Sequence, residues 1–438
     1  MTLRDDARGI LDAALAAADA RRAVLRALRR EGDRLVVADA EEVDLAAVER
    51  VWVIAAGKAA AAMASGALEV LGDRVAGGTV TTKDGHGGDV AGLEVWEAAH
   101  PLPDARGLAG AASALAVARG AGPRDLVLVL LSGGASALWP APPPGVLLSD
   151  VRAVTDRLLR AGATIRALNA VRKRLSRMAG GGLAKAAFPA RVVTLAVSDV
   201  VGSPLDVIAS GPTVPDASTY GEALEVLLEH GITGSDSVSR WLQAGAAGEA
   251  PEPIGEDDPA FARASAHVIA RNRDALEGAA AEAERLGYRA TIAGDDLEGE
   301  AREVARGVAR LAFEAREAGE PAAVLLGGET TVTVRGGGRG GRNQELALAL
   351  ALEIEGRDGV VAAALGTDGT DGTTDAAGAM VDGGTVERGV AAGVDARAAL
   401  GANDAHPFLR ATGDLIVTGP TGTNVNDVVL LLVRPPST

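Results

Sequence analysis

Residues 51–64 read VWVIAAGKAAAAMA, and this stretch decides the fold class. A short apolar run containing valine and isoleucine is followed by a Gly-Lys turn and then by an alanine-rich segment, which is the order strand, turn and helix. Strand patterns of the same kind occur at residues 126–131 and 192–197. Because such strands alternate with helical stretches, the sequence predicts an α/β protein whose parallel strands are buried on both faces.

The length of the chain and one change in composition predict two domains. A single hydrophobic core stops growing at about 250–300 residues, and this chain has 438. Glycine, proline and acidic residues replace the periodic apolar positions in AGAAGEAPEPIGEDDP, residues 244–259. We therefore predict a first α/β domain over residues 1–245 and a second α/β domain over residues 246–438.

Composition excludes several classes of protein. The chain has no cysteine, which rules out disulfides, cysteine-ligated zinc, iron–sulfur clusters and a thiolate nucleophile. Its formal net charge is −16 and it has few aromatic residues, so no basic stripe or stacking platform for a nucleic acid is expected. No apolar run approaches the ~20 residues of a membrane span, and Asp5 and Asp6 stand where a signal peptide is positively charged. We expect a soluble cytoplasmic monomer or homodimer with no nucleic-acid or membrane partner.

Lys58 follows the first of these strands, at the point where the next helix is predicted to begin. In open α/β sheets, ligands bind beyond the carboxyl ends of the strands. A lysine at a helix N-terminus is unfavourable by about 0.3–1 kcal/mol unless an anion is present. Lys58 is therefore either an anion ligand or a solvated surface lysine, and this feature alone favours neither interpretation.

The loop SGGASA, residues 132–137, follows the strand at residues 126–131. Its glycines would let backbone N–H groups approach a phosphate or a carboxylate. The loop lacks the second glycine of a nucleophile elbow, and the only Gly-Lys pair of the chain is followed by alanine, so the P-loop motif is absent. An anion-binding loop is favoured over a tight turn without a ligand.

Asp199 follows the strand at residues 192–197, and Asp206 lies further along the same loop. A carboxylate in such a place can bind a metal or take a proton from a substrate hydroxyl, or it can cap a turn. The functional interpretation is favoured for Asp199 and not for Asp206. Several basic residues between positions 166 and 177 stand out in an acidic chain, and they form either a solvated helix face or part of an anion site.

Residues 327–345 read GGETTVTVRGGGRGGRNQE and give the strongest local signal. Gly336, Gly338 and Gly341 match the dinucleotide fingerprint G-x-G-x-x-G, but this run is so rich in glycine that almost any glycine spacing would match. Arg339 and Arg342 indicate a different ligand, because guanidinium groups pair bidentately with carboxylate or phosphate oxygens. The segment predicts a site for a small, highly charged anion, and the alternative is a mobile surface hairpin.

Residues 366–375, GTDGTDGTTD, carry carboxylates after another predicted strand. Oxygen ligands suit Mg²⁺, which proteins usually bind through one or two carboxylates plus substrate phosphates. Asp368 and Asp371 are the candidate ligands, and plain turns are the alternative interpretation. The histidines of the chain have no metal-binding spacing and are interpreted as structural or solvated.

Together these segments resemble the glycerate 2-kinases whose C-terminal part is called the MOFRL domain, a family in which related sequences are often labelled hydroxypyruvate reductases. The resemblance covers nearly the whole chain and rests on long motifs in a fixed order. Ala135 stands where the family usually has a third glycine, and Arg174 stands where it usually has histidine. The matching motifs are AAGKAAAAMA at 55–64, AAHPLPD at 98–104, LLSGGASAL at 130–138, LNAVRKRLSRMAGG at 168–181, SDVVGSPLDVIASGPTVPD at 198–216, GGETTVTVRGGGRGGRNQE at 327–345, GTDGTDGTTDAAGA at 366–379 and GDLIVTGPTGTNVND at 413–427.

The resemblance implies a transfer of the γ-phosphoryl group of ATP to the 2-hydroxyl of D-glycerate, with Mg²⁺ as cofactor. It also implies a Rossmann-like α/β/α first domain and a smaller α/β second domain of the MOFRL type, with the active site in the cleft between them. It places Lys58, Asp199, Arg342 and Asp368 at active-site positions. The other candidates for binding substrate or phosphate are Ser132, Gly133, Gly134, Ser136, Arg339, Asn343 and Asn424.

Phosphoryl transfer asks a protein mainly for positioning and charge neutralisation, and this gives each candidate a hypothetical role. Lys58 and Arg342 would hold the glycerate carboxylate and the migrating phosphoryl group. Asp368 and Asp371 would carry Mg²⁺, and Asp199 would orient or deprotonate the 2-hydroxyl. The scarcity of aromatic residues predicts that aliphatic side chains and backbone hold the adenine.

Two other functions compete with the kinase. The first is an NAD(P)H-dependent hydroxypyruvate reductase, which the glycine fingerprint and the family's older label suggest. Against it, no convincing ribose-binding acid follows the next strand, because Asp368 lies in a carboxylate-rich loop that would repel phosphates without a metal. The second is a catalytically silent protein that binds sugar acids, which polar loops of opposite charge argue against.

Overall fold

The computed structural model describes residues 2–232, 236–250 and 254–435. The chain divides into two compact units. The first unit is Ala20–Ile269, and the second unit combines Met1–Asp19 with Ala270–Thr438. Helix α1 (Leu3–Ala17) therefore belongs to the second unit. Among the helices within the described residues, none is long and apolar enough to cross a lipid bilayer.

The first unit contains both strands and helices, as the sequence predicts. Its strands are β1 (Leu28–Glu31), β2 (Arg34–Val37), β3 (Glu41–Asp44), β4 (Val51–Ala56), β5 (Val75–Lys83), β6 (Glu94–Ala98), β7 (Leu126–Leu131), β8 (Arg191–Val197) and β9 (Ala264–Ala270). Its helices are α2 (Ala20–Ala27), α3 (Ala60–Leu71), α4 (Ala105–Gly120), α5 (Ala135–Leu138), α6 (Leu148–Arg160), α7 (Ile165–Arg174), α8 (Gly182–Ala187), α9 (Tyr220–Glu229) and α10 (Asp236–Ala246).

The main sheet of the first unit has the strand order β6-β5-β4-β7-β8-β9. The pairs from β6 through to β8 are parallel. After β4 the chain adds strands towards one edge, and it then returns to β7 and adds strands towards the other edge, so the order reverses between β4 and β7. This doubly wound order confirms the predicted Rossmann-like α/β architecture, in which ligands bind at the reversal point beyond the carboxyl ends of the strands.

Strand β7 shows why its sequence is continuously apolar. All six of its residues, Leu126–Leu131, are buried. Val127, Val129 and Leu131 pack in one hydrophobic cluster with side chains of α4 and α8. A strand that is covered by helices on both faces has no polar face, so the alternation typical of a half-buried strand is lost.

A small antiparallel sheet in the first unit was not predicted from the sequence. Strands β1, β2 and β3 form it in that order. The amphipathic pattern of residues 4–30 predicts one or two helices, but the structure ends α2 at Ala27 and begins β1 at Leu28. These strands have four residues each, which is too short for a periodic signal.

The second unit is also an α/β unit. Its strands are β10 (Arg289–Glu300), β11 (Ala322–Thr331), β12 (Val360–Gly366), β13 (Gly378–Asp382), β14 (Leu415–Ile416) and β15 (Asp427–Val433). Besides α1, its helices are α11 (Asn272–Arg285), α12 (Ala301–Glu317), α13 (Arg342–Glu353), α14 (Thr385–Ala391), α15 (Ala396–Gly401) and α16 (Ala405–Thr412).

The sheet of the second unit is mixed, in the order β10-β11-β15-β12-β13-β14. Only its β10–β11 pair is parallel, and the other pairs are antiparallel. The expectation of parallel strands is therefore wrong for this sheet. The reason is that β12 and β15 are buried along their whole length, and a buried apolar run does not reveal the direction of its neighbours.

The boundary between the units lies elsewhere than the predicted boundary after residue 245. Strand β9 joins the main sheet beside β8, which keeps the chain in the first unit as far as Ile269. The composition change at residues 244–259 therefore lies within the first unit, and its residues 251–253 lie outside the described residues. Changes in composition mark a surface segment, and they do not by themselves separate two cores.

Helix α1 is fixed in the second unit by a buried polar group. The Tyr288 hydroxyl donates to Asp6 Oδ2 at 2.6 Å, and Arg434 Nη2 donates to the same oxygen at 2.8 Å. Thr423 Oγ1 donates to the carbonyl of Ala18, just beyond the helix. These contacts join the first residues of the chain to Tyr288 and to the segments that flank its last strand, which no local sequence pattern could indicate.

Replacing Tyr288 by phenylalanine is expected to remove an alkaline loss of stability. Burial and then the hydrogen bond to Asp6 raise the pKa of Tyr288 to about 12 from an ordinary 10. The unfolded chain loses this proton first, so the stabilisation is complete below pH 10 and is lost as the pH rises towards 12. Urea unfolding from pH 8 to 11.5 measures it. Equal losses in wild type and Tyr288→Phe would contradict this assignment.

Candidate active site

The predicted anion-binding elements of the first unit meet where the strand order reverses. Lys58 follows β4, and the loop at residues 132–137 follows the adjacent parallel strand β7. The Lys58 N–H donates to the carbonyl of Gly133 at 2.9 Å, and the Ala59 N–H donates to Ser132 Oγ at 3.0 Å. Lys58 is half-buried, and these bonds hold its backbone directly against the glycine loop.

Gly57 makes this close approach possible. Its φ is +122°, and a Cβ at this position would lie 2.2 Å from Ser132 Oγ and 2.4 Å from the Ser132 carbonyl oxygen. Any other side chain would therefore separate the two loops. Opposite it, a Cβ on Gly134 would lie 3.5 Å from Lys58 Cγ, so the stem of the lysine runs along the glycine loop.

Asp199 follows β8, which lies next to β7 in the sheet. Its side chain is half-buried, and the preceding Ser198 caps the turn by accepting from the Val200 N–H at 3.2 Å. Asp206 instead belongs to a charge cluster, because Lys173 Nζ lies 3.4 Å from it and 3.2 Å from Asp216. This arrangement agrees with the functional interpretation of Asp199 alone.

Arg174 fills a structural role at the position where the resembling family usually has histidine. Its guanidinium pairs with Asp216 and lies over the ring of Tyr220 at 5.5 Å. Arg174, Lys173 and Asp216 are all buried. Two members of the basic segment are thus accounted for by an internal ion-pair cluster, and the solvated-face interpretation is wrong for them.

In the second unit, Arg342 begins α13 and is held by two carboxylates. Its Nε and Nη2 donate to the two oxygens of Asp427 at 2.6 and 3.0 Å, and its Nη1 donates to Glu329. These acids outweigh burial and raise the pKa of the arginine above its ordinary value. In this conformation the charge of Arg342 is already neutralised.

The glycine-rich loop between β11 and α13 is fastened to the residues that follow α15. Asn403 Oδ1 accepts from the N–H groups of Arg335 and Gly336 at 2.7 and 3.0 Å. The Arg339 N–H donates to Asp404 Oδ1 at 2.8 Å. These hydrogen bonds hold the segment in a defined turn, so the alternative of a mobile surface hairpin is not supported.

The structural context of a dinucleotide fingerprint is absent from this loop. Such a fingerprint needs its glycines directly after a strand and a parallel strand beyond the helix. Here β11 ends at Thr331, several residues before Gly336, and β12 follows α13 but does not pair with β11. The glycines therefore do not form a nicotinamide-type pyrophosphate turn.

Asp371 caps helix α13. Its Oδ1 accepts from the Asn343 N–H at 3.2 Å, and its Oδ2 accepts from the Gln344 N–H at 2.8 Å and from Gln344 Nε2 at 2.9 Å. A Cβ on Gly341 would lie within 2.5 Å of this carboxylate. Burial raises the pKa of Asp371 to about 6 despite these donors. The group is used as a helix cap, and it does not fit the predicted role of metal ligand.

Asp368 differs from Asp371 in its surroundings. Its Oδ1 accepts from the N–H and the hydroxyl of Thr370 at 2.9 and 3.0 Å, which fixes the carboxylate at the start of the loop after β12. Across the described ranges, no cluster of three or more histidine, aspartate and glutamate side chains is arranged around a common metal position. One carboxylate with substrate phosphates is nevertheless a normal Mg²⁺ site, and Asp368 fits it.

The two predicted asparagines are both buried, with 1% of Asn343 and 5% of Asn424 exposed. Both the oxygen and the nitrogen of the Asn343 amide lack a hydrogen-bond partner among the described residues. Buried polar groups normally have partners, so an orphaned amide at the start of α13 is consistent with a ligand that supplies them.

Sequence reasoning missed three residues that support this site. Asp427 holds Arg342, Asn403 holds the glycine loop, and Gln344 joins Asp371 to the buried His406, whose Nδ1 lies 2.8 Å from Gln344 Oε1. Gln344 lies inside the quoted motif and could have been found there. Asn403 lies in no motif, and no sequence signal marks it; in the structure it has a left-handed φ of +55°.

Two family descriptions match the chain. Residues 6–243 match a domain of unknown function (DUF4147), and residues 322–427 match the MOFRL family. The first match contains Lys58 and Asp199, and the second contains Arg342 and Asp368. All four of these candidate residues thus lie within the matched regions.

Named relatives and a solved structure extend this match over nearly the whole chain. D-glycerate 2-kinase of Thermotoga maritima is 43% identical over 391 residues, which cover 88% of this chain and 91% of that protein. A protein of Agrobacterium vitis with the provisional name hydroxypyruvate reductase is 42% identical over 441 residues, covering 99% of this chain and 95% of its own length. The crystal structure of glycerate kinase from Thermotoga maritima is similar with a TM-score of 0.84 at 40% identity, over 99% of both chains.

Proposed function

Because this chain belongs to the family of glycerate 2-kinases that carry the MOFRL domain, we propose that it transfers the γ-phosphoryl group of ATP to the 2-hydroxyl of D-glycerate. The observation that carries the proposal is the contact between Lys58 and the glycine loop at the reversal point of the main sheet. A cation and closely approaching backbone N–H groups at such a point suit phosphate oxygens.

The first unit would supply charge neutralisation and orientation of the hydroxyl. Lys58 and the loop residues Ser132, Gly133 and Gly134 would bind the migrating phosphoryl group, whose charge spreads over three oxygens in the transition state. Asp199, which follows the next strand, would orient the 2-hydroxyl or accept its proton.

The second unit would supply the arginine and the metal. Arg342 would reach a phosphoryl oxygen by exchanging its partner Glu329, whose side chain is 47% exposed, while Asp427 keeps the guanidinium in place. Asp368 would hold Mg²⁺, which when bound lowers the charge on the phosphates. Arg339, Asn343 and Asn424 stay candidates for binding the phosphates.

The reductase is the weaker proposal. A related protein bears that provisional name, yet the glycines of the 336–341 loop lack the strand and helix context of a dinucleotide site. A silent binding protein is weaker still, because a relative that is 43% identical over 88% of this chain is named D-glycerate 2-kinase, which is an enzyme. The cytoplasmic location and the monomer or homodimer state stay predictions.

One experiment separates these functions. The protein is incubated with D-glycerate, ATP and Mg²⁺, and the product is identified by ³¹P NMR; a parallel tube contains hydroxypyruvate and NADH. We expect 2-phosphoglycerate and no NADH oxidation. A 3-phosphoglycerate product would show that the phosphoryl group is transferred to the 3-hydroxyl. NADH oxidation without a phosphorylated product would show that the protein is a reductase and not a kinase.

A further inference from the structure

A small cavity of about 60 Å³ lies in the first unit behind the glycine loop. Its lining comes from α5, from the end of α7 and from the turn at Ile208–Ser210. The lining includes Ser136, a member of the loop that contacts Lys58, and none of the described residues lining it is acidic. The cavity has room for several atoms of a small molecule but not for a nucleotide base.

Arg172 lines this cavity and has no counter-ion. Its side chain is half-buried, and no hydrogen bond or ion pair joins its guanidinium to any described residue. Burial alone lowers the pKa of Arg172, whereas the next two residues, Lys173 and Arg174, both pair with Asp216. A half-buried charge that no acid compensates is partly desolvated, and an anion in the cavity would compensate it.

Other donors surround the same space. Trp139 is 4% exposed, lines the cavity, and its indole N–H has no hydrogen-bond partner among the described residues. The hydroxyls of Ser136 and Ser210 lie 2.9 Å apart. Ala209 and Ser210 also line the cavity with φ values of +53° and +60°. Consecutive residues other than glycine in the left-handed region are strained, and such strain clusters at ligand sites.

We propose that this cavity is the subsite for the carboxylate of the acid substrate, with Arg172 as its bidentate partner and with Ser136, Ser210 and Trp139 as further donors. The proposal rests on the proposed function and adds to it a residue that recognises the carboxylate of the substrate. In the proposed function Lys58 and Arg342 both bind the phosphoryl group, so Arg172 gives the carboxylate a cation of its own.

Arg172→Gln tests the subsite through kinetics. We expect KM for D-glycerate to rise at least about 30-fold, the loss expected for a charge-assisted pair, and KM for ATP to stay within about threefold. Arg166→Gln is the matched control, because Arg166 is exposed on the same helix; its kinetics should match wild type. An unchanged KM for D-glycerate in Arg172→Gln would overturn the subsite.

A substrate without the carboxylate makes the test more specific. Wild type should have a higher kcat/KM for D-glycerate than for D-glyceraldehyde. Arg172→Gln should lose most of that preference, because the preference depends on the ion pair between the arginine and the carboxylate. If kcat/KM of the variant falls by the same factor for both substrates, Arg172 does not recognise the carboxylate and the proposal fails.

Thermal unfolding with D-glycerate and without ATP separates this proposal from the proposed function. D-glycerate should raise the Tm of wild type and not that of Arg172→Gln. Without ligand, the variant should have an equal or higher Tm, because Arg172 has no hydrogen bond or ion pair within the described residues to lose; a lower Tm would show a structural role and overturn the proposal. If the ligand shift depends on Arg172 but wild type forms no phosphoglycerate, the subsite stands and the kinase function fails.

Discussion

Lys58→Ala is expected to lower kcat/KM for D-glycerate by about 10²–10³-fold, the loss typical of a group that stabilises charge in the transition state. Lys58 is the lysine at the reversal point of the main sheet, and its backbone N–H is bonded to the glycine loop at Gly133. The loop geometry depends on that N–H and on Gly57, so the alanine variant should keep it. Steady-state kinetics at saturating ATP measure the loss.

A matched control distinguishes this role from a general effect of charge. Lys185 is exposed and pairs with Asp258 in the same unit, and Lys185→Ala should leave kcat/KM within about twofold, as for most surface substitutions. Circular dichroism and Tm should be similar for both variants. Activity of Lys58→Ala within a few-fold of wild type would remove Lys58 from the mechanism.

The sequence allowed much of the first unit to be predicted, because its signals are local. The strand predicted at residues 126–131 is β7 to the residue. Lys58 and the 132–137 loop each follow a strand, and adjacency of the two strands was enough to bring them together. The strand order was not predictable in the same way, since it depends on which edges meet and not on any run of residues.

The rest of the site depends on contacts between distant residues. Arg342 is neutralised by Asp427, 85 positions away, and the glycine loop is held by Asn403, 67 positions from Gly336. In the sequence, Arg172 is one of several neighbouring basic residues. In the structure Lys173 and Arg174 form ion pairs with Asp216, and this distinguishes them from Arg172. Such roles arise when the chain is folded, because a charge has no function until its partners are known.

The two carboxylates predicted as magnesium ligands should behave differently when each is replaced. Asp371→Asn should lower the free energy of unfolding by about 1.5–3 kcal/mol with or without Mg²⁺. Its two oxygens accept hydrogen bonds from the N–H groups of Asn343 and Gln344. In the variant, the NH2 of the asparagine side chain would face one of these N–H groups, and two donors cannot form a hydrogen bond. Urea unfolding in EDTA measures this cost, and an unchanged stability would contradict the capping role.

Asp368→Asn should instead lower kcat at least about 10²-fold, because a metal that polarises phosphoryl oxygens contributes several kcal/mol to the transition state. Its Oδ1 needs only acceptor character towards Thr370, which the amide oxygen of asparagine retains, so stability in EDTA should change by less than about 1 kcal/mol. Titration with Mg²⁺ is the decisive measurement. Both variants are compared at temperatures where they are folded. If the Mg²⁺ concentration needed for half-maximal activity rises in Asp368→Asn and not in Asp371→Asn, the metal is assigned to Asp368. An unchanged Mg²⁺ concentration in Asp368→Asn would remove Asp368 from the metal site.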